Sequence, residues 1–208
     1  MSPIGTEVKP VNTSFPRGWD GRIAYVVSNL GSPPVLTVAV VLLMASTLAG
    51  GGAWAWASVY LVLAILTPLF YLVWLVRRGV VTDLDVQRRE QRTRPMIVTL
   101  LCSALAWLTL RVGMAPALMV VVAGIVWLQM ITIFFITLFW KISVHCASAA
   151  GVAVLAWLLI GTPLPLLIVP FIAWSRVRLR RHTLTQTIAG SLLGLAFFIT
   201  ALTLFLGG

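Results

Sequence analysis

The sequence predicts an all-α, polytopic membrane helical bundle of six to seven transmembrane segments, and three observations lead there. Of the 208 residues, 60% are hydrophobic and only 10% are charged, whereas a soluble domain of this size needs about 25% charged residues to cover its surface. Mean hydropathy is +1.03. The apolar residues come in long runs, and nearly every group able to do polar chemistry lies in the short junctions between them. The length suits one such domain. Residues 1–34 read as an N-terminal segment and residues 35–208 as the transmembrane domain, with no internal repeat.

Each element has its own signal. Residues 1–19, rich in Pro, Gly and polar residues, predict an irregular start, and the late first apolar run predicts no signal peptide. Residues 20–31 predict a short interfacial helix, because Ile23, Val26, Val27 and Leu30 share one face. Pro33 and Pro34 set the start of a first span from Val35 to about Ala49, since proline fits a first helical turn. Gly50-Gly51-Gly52 predicts a tight reversal. A second span runs from Ala53 to Val76 and ends at Arg77-Arg78-Gly79. The loop from Val80 to Pro95 is the most charged part of the chain. A third span, Met96 to Leu110, leads to a turn containing Arg111, Gly113 and Pro116, and a fourth runs from Ala117 to Trp140. Lys141 to His145 lead into a fifth that ends near Gly161. Pro163, Pro165 and Pro170 punctuate a sixth, shorter segment to Trp174, and the last span is Thr187 to Leu206. Crossing a bilayer takes roughly 20 apolar residues, so the first, third and sixth segments would have to tilt, thin the bilayer or extend into their polar flanks.

If every segment crosses, the N-terminal segment and the three polar junctions share one membrane face. Of the 15 lysines and arginines, 14 then fall on that face and only Arg111 on the other. Lysine and arginine are retained on the cytoplasmic side, so this face is expected in the cytoplasm, at the plasma membrane. Trp74, Trp140 and Trp174 precede the three junctions, where an aromatic belt would lie. Gly190, Ser191 and Gly194 read as a small-residue packing face in the last helix. Cys102 and Cys146 lie in apolar runs and read neither as disulfide partners nor as metal ligands. The net charge of +10, without aromatics interleaved in a soluble basic patch, points to membrane lipids or a lipid phosphate rather than nucleic acid. Nothing in the sequence bears on protein partners or a homo-oligomer.

The junctions hold both histidines of the chain, His145 and His182, together with Lys141, Arg94 and Arg176. Such a set makes an anion pocket with two groups able to move protons near neutral pH. Guanidinium forks match phosphate oxygens, and a histidine among them can attack phosphorus or protonate a leaving oxygen. Ser175-Arg176, five residues, His182, three residues and Gln186 form one motif. Ser143-Val144-His145 forms a second, and Gln87, six residues and Arg94-Pro95 a third. In order and spacing this resembles the type 2 phosphatidic acid phosphatase superfamily, over about residues 87–186. The resemblance implies that His182 is a nucleophile forming a phosphohistidine and that His145 protonates the leaving oxygen. It also implies that Arg94, Arg176 and Ser143 hold the phosphoryl oxygens, with Ser175 and Gln186 completing the third motif. The substrate would be a phosphomonoester or diphosphate of a lipid, with no cofactor and no metal.

Three positions depart from that pattern. Gln87 replaces a lysine, and Lys141, one helical turn before His145 if both are helical, is a candidate substitute. Val144 replaces a glycine and crowds the backbone near the phosphate. Gln186 replaces an aspartate, so that an amide orients the His182 ring without stabilising its charge. A slower enzyme, an unusual substrate and a catalytically silent membrane subunit all fit these departures. The loop Asp83-Leu84-Asp85 to Arg94-Pro95 also resembles the acidic first motif of intramembrane prenyltransferases, whose carboxylates hold magnesium on a diphosphate. That likeness covers one loop, and its acidic spacing differs.

Overall fold

A computed structural model of the chain describes residues 18–48, 52–84, 86 and 88–207, without the side chains of Arg89 and Leu206. The expected irregular start before residue 18, the reversal at Gly50-Gly51, and residues Asp85 and Gln87 lie outside the described residues. Within them all regular structure is helical: α1 (Trp19–Leu30), α2 (Pro33–Thr47), α3 (Gly52–Arg77), α4 (Thr93–Val112), α5 (Ala117–Phe139), α6 (Val144–Ile160), α7 (Ile168–Arg178) and α8 (Leu184–Gly207). Short 3₁₀ turns at Arg89–Gln91 and Leu164–Leu167 lead into α4 and α7.

Helices α3, α4, α5 and α8 are each long and apolar enough to cross a membrane, and α1 with α2, bent by 53°, makes a fifth when counted as one broken span. Large apolar side chains such as Phe70, Leu101, Phe139, Leu192 and Leu204 stand exposed on the outside of the bundle, where a soluble fold would place polar residues. The chain is an integral membrane protein. Six to seven crossings are expected from the apolar runs, but α6 has 17 residues and α7 has 11. At a helical rise of 1.5 Å per residue these reach roughly 26 and 17 Å, below the ~30 Å hydrocarbon core.

Helix α6 is the centre of the bundle rather than a lipid-facing wall. Cys146, Ala147, Ala149, Ala150, Gly151 and Ala153 are all buried along it, and α2, α7 and α8 pack around it. Small residues let the backbones close on one another, which is how helices associate without a hydrophobic drive between them. The contact with α8 depends on Gly190 and Gly194. A Cβ on Gly190 would come within 2.5 Å of the Ser143 carbonyl oxygen, and one on Gly194 would run into the Ala147 carbonyl. Ser143 opens α6 as its N-cap, its Oγ accepting from the Cys146 N–H at 3.4 Å, and Gly161 closes it with a left-handed φ of 79°.

Two local irregularities shape the end of the bundle that carries the junctions. Pro68 has no N–H for the Ala64 carbonyl, and α3 loosens into a π turn over Leu61–Leu66 just before it. Helix α1 lies antiparallel along α7, with Asp20 against Arg178 and Ser28 against Arg176. Its small residues Gly21, Ala24 and Ser28 face the bundle, while Ile23, Val26 and Leu30 stay exposed on the apolar face expected of an interfacial helix.

Candidate active site

A cavity of about 260 Å³ opens at the junction end, between α2, α3, α4, α5 and α6. Its polar end is formed by Arg92, His145, Ser148, Arg176 and His182, and its walls by apolar residues including Pro34, Ile65, Leu69 and Leu72. The π turn and Pro68 of α3 border it. Both histidines of the chain therefore face one volume, from the first turn of α6 and from the turn between α7 and α8.

The His182 ring is held in one tautomer by its own helix start. Thr183 and Gln186 form a reciprocal cap for α8: the Gln186 N–H donates to Thr183 Oγ1 at 3.3 Å, and the Thr183 N–H donates to Gln186 Oε1 at 3.2 Å. A backbone N–H can only donate, so it fixes which end of the Gln186 amide is oxygen. That oxygen also lies 3.0 Å from His182 Nδ1, which must then carry the proton. The lone pair is left on Nε2. Burial, then the charges of Arg176 and Lys141, push the His182 pKa down from 6.5 to about 3, against the opposing pull of the Gln186 bond. His182 is neutral at physiological pH.

His145 is oriented from the other side. Its Nε2 lies 3.4 Å from Arg176 Nη1, and a guanidinium has only donors, so this nitrogen presents its lone pair and Nδ1 carries the proton. Arg176 is 2% exposed, and the same Nη1 donates to Ser28 Oγ of α1 at 2.8 Å. Arg92 approaches from the loop before α4, exposed by only 8%. Burial first and Arg176 second lower its pKa. The Lys141 pKa is lowered by burial, then by Arg92 and Arg176. Three cations thus sit within electrostatic reach of one another beside the cavity.

The other expected site residues fall in different places. Gln186 stands behind His182 and does not line the cavity. Lys141 is half-buried beside it, and the expected helical register with His145 does not form, because Ser143 caps α6 and leaves Lys141 in the connection before it. The hydroxyls of Ser143 and Ser175 are committed to backbone, Ser175 donating to the Ile172 carbonyl at 2.8 Å. Arg94 is exposed and outside the lining, whereas Arg92 is inside it. Two residues apart, side chains at a helix start point about 200° from each other, so only one of the two arginines can face inward. Val144, in the glycine position of the second motif, does line the cavity.

Sequence reasoning passed over Arg92, Ser148 and Ser28. Ser148 follows His145 by three residues and was legible as a same-face neighbour. The Thr183-to-Gln186 spacing was legible as a helix cap. Ser28, 148 residues from Arg176 in the chain, gave no signal. The described residues contain no group of three His, Cys, Asp or Glu placed to hold a metal ion, and neither Asp83 nor Glu90 lines the cavity. Comparison with family profiles, with curated proteins and with solved structures gives no match to this chain.

Proposed function

We propose that the cavity takes the phosphoryl head of a membrane lipid and hydrolyses it through a phosphohistidine on His182, as type 2 phosphatidic acid phosphatases do. The observation that carries this reading is the convergence of both histidines with Arg92 and Arg176 at the polar end of a cavity whose walls are predominantly apolar. The lone pair on His182 Nε2 attacks phosphorus, a P–N bond forms, and the P–O bond to the lipid breaks. The incoming phosphate monoanion separates His145 Nε2 from Arg176 and gives that nitrogen its proton, and the leaving oxygen takes the proton from there. Water then attacks phosphorus, the P–N bond breaks, and inorganic phosphate leaves as His145 takes the water proton. The arginines hold charge that grows on the equatorial oxygens. In this reading the site faces the cytoplasm at the plasma membrane, and α6 and α7 complete six or seven segments.

The test is phosphate release from lipid phosphomonoesters and diphosphates by the full chain in micelles, with and without chelator. Release that survives chelation and disappears in His182→Ala is the expected outcome; no release from any substrate sinks the reading. A binding-only membrane subunit is the second reading, favoured by the neutral Gln186 amide where a carboxylate would support charge on His182. It predicts tight binding of the same lipids without release.

A further inference from the structure

Arg92 belongs to none of the motifs that suggest a phosphatase, yet the structure treats it as a built feature. Its Nε donates to the Val86 carbonyl at 2.8 Å. Its Nη1 is buried with no hydrogen-bond partner among the described residues, while the side chain borders the cavity. A charged donor left buried without an acceptor is costly. Val86 carries a second cost. Its φ of 44° puts a β-branched residue in the left-handed region, where such residues are strained. Glycine or asparagine would relieve that strain, but the Val86 side chain is buried against Leu75 and Val81 and also borders the cavity. Both costs converge on the direction of one guanidinium.

We propose that Arg92, aimed by the left-handed Val86 carbonyl, clamps the phosphate head of a lipid in this cavity, and that Arg94 does not. An anion is the acceptor that suits this donor best, because Arg176 and Lys141 already place positive charge beside Arg92. A lipid phosphate supplies oxygens for the guanidinium and a chain for the apolar wall at Leu69 and Leu72. This rests on the lipid-phosphate part of the reading above and not on turnover.

The experiment is calorimetric binding to the full chain in micelles of uncharged detergent, with dodecyl phosphate, inorganic phosphate and dodecanol as probes. Arg92→Gln weakens dodecyl phosphate about ten- to a hundredfold, in keeping with loss of a charge-assisted hydrogen bond. Arg94→Gln stays within about twofold, since rim charges contribute little. Arg92→Lys keeps a charge in the core without the fork and weakens binding less than Arg92→Gln, which covers the case in which the glutamine variant fails to fold. Val86→Pro, which locks φ near −65°, weakens binding with Arg92 still present. Loss of affinity in Arg94→Gln with none in Arg92→Gln would overturn the proposal, as would wild-type binding of dodecyl phosphate no tighter than dodecanol. Inorganic phosphate bound as tightly as dodecyl phosphate would overturn its lipid part. If Arg92-dependent binding persists while no lipid phosphate is hydrolysed, the hydrolysis reading fails and this one stands.

Discussion

At the scale of single residues, Gln186 decides more than its neutral side chain suggests. It caps α8 and sets the tautomer of His182 with the same oxygen. An aspartate at this position would be one methylene shorter and would give up one of those bonds, so Gln186→Glu is the cleaner way to introduce charge. His182 has its folded pKa depressed, from 6.5 to about 3. The neutral ring is therefore favoured by the fold, and stability falls as pH drops from about 6.5 towards 3, because the unfolded chain binds a proton that the folded one refuses. In wild type, the imidazole resonances of His182 stay at their neutral positions from pH 8 down to pH 5. In Gln186→Glu the carboxylate raises the midpoint back towards the ordinary histidine range. The same variant is expected to increase phosphate release at least ~10-fold, by analogy with the large effect of the carboxylate behind a catalytic histidine. A wild-type His182 that titrates near 6.5 would refute the neutral-ring assignment.

At the scale of elements, α1 is tied to α7 by two contacts of very different weight. Ser28 is buried and accepts from the buried Arg176 guanidinium. Asp20 and Arg178 form an ion pair in the open, with side chains 58% and 41% exposed. Removing an acceptor from a buried cation leaves its donor short of a partner, at about 1–3 kcal/mol, whereas exposed pairs contribute little and are screened by salt. Ser28→Ala is therefore expected to lower the melting temperature in micelles by several degrees. Asp20→Ala should leave it almost unchanged. Equal effects of the two substitutions would show that α1 is held by something other than the Arg176 contact. Helix α1 was legible as an amphipathic interfacial segment; its hold on the site was not, since a single serine carries no periodic signal.

At the scale of the whole molecule, the helix ends around the cavity put nearly all the cationic side chains among the described residues at one end of the bundle. Arg111 stands apart, at the far end of α4. If that asymmetry sets orientation, the cavity end is cytoplasmic. In a variant lacking Cys102 and Cys146, Thr82→Cys is exposed in the loop after α3. It should resist a membrane-impermeant maleimide added to intact cells and react once the membrane is opened. Ready labelling in intact cells would reverse the orientation.

The sequence by itself determined the membrane class, the helical content and the gathering of polar groups at one end. Those follow from composition and from periodic apolar runs, which are local properties of the chain. It also pointed to His145, Arg176 and His182, and to the close packing at Gly190 and Gly194. Only the tertiary structure decided which arginine enters the cavity: the motif spacing singled out Arg94, whereas the rotation about the helix axis turns Arg92 inward. It likewise decided that Ser143 and Ser175 serve backbone rather than cavity, and that Ser28 meets Arg176. It also showed α6 to be a short core helix rather than a lipid-facing one. Each of these depends on long-range contact, where the partner of a polar group is chosen by packing and not by its neighbours in the chain.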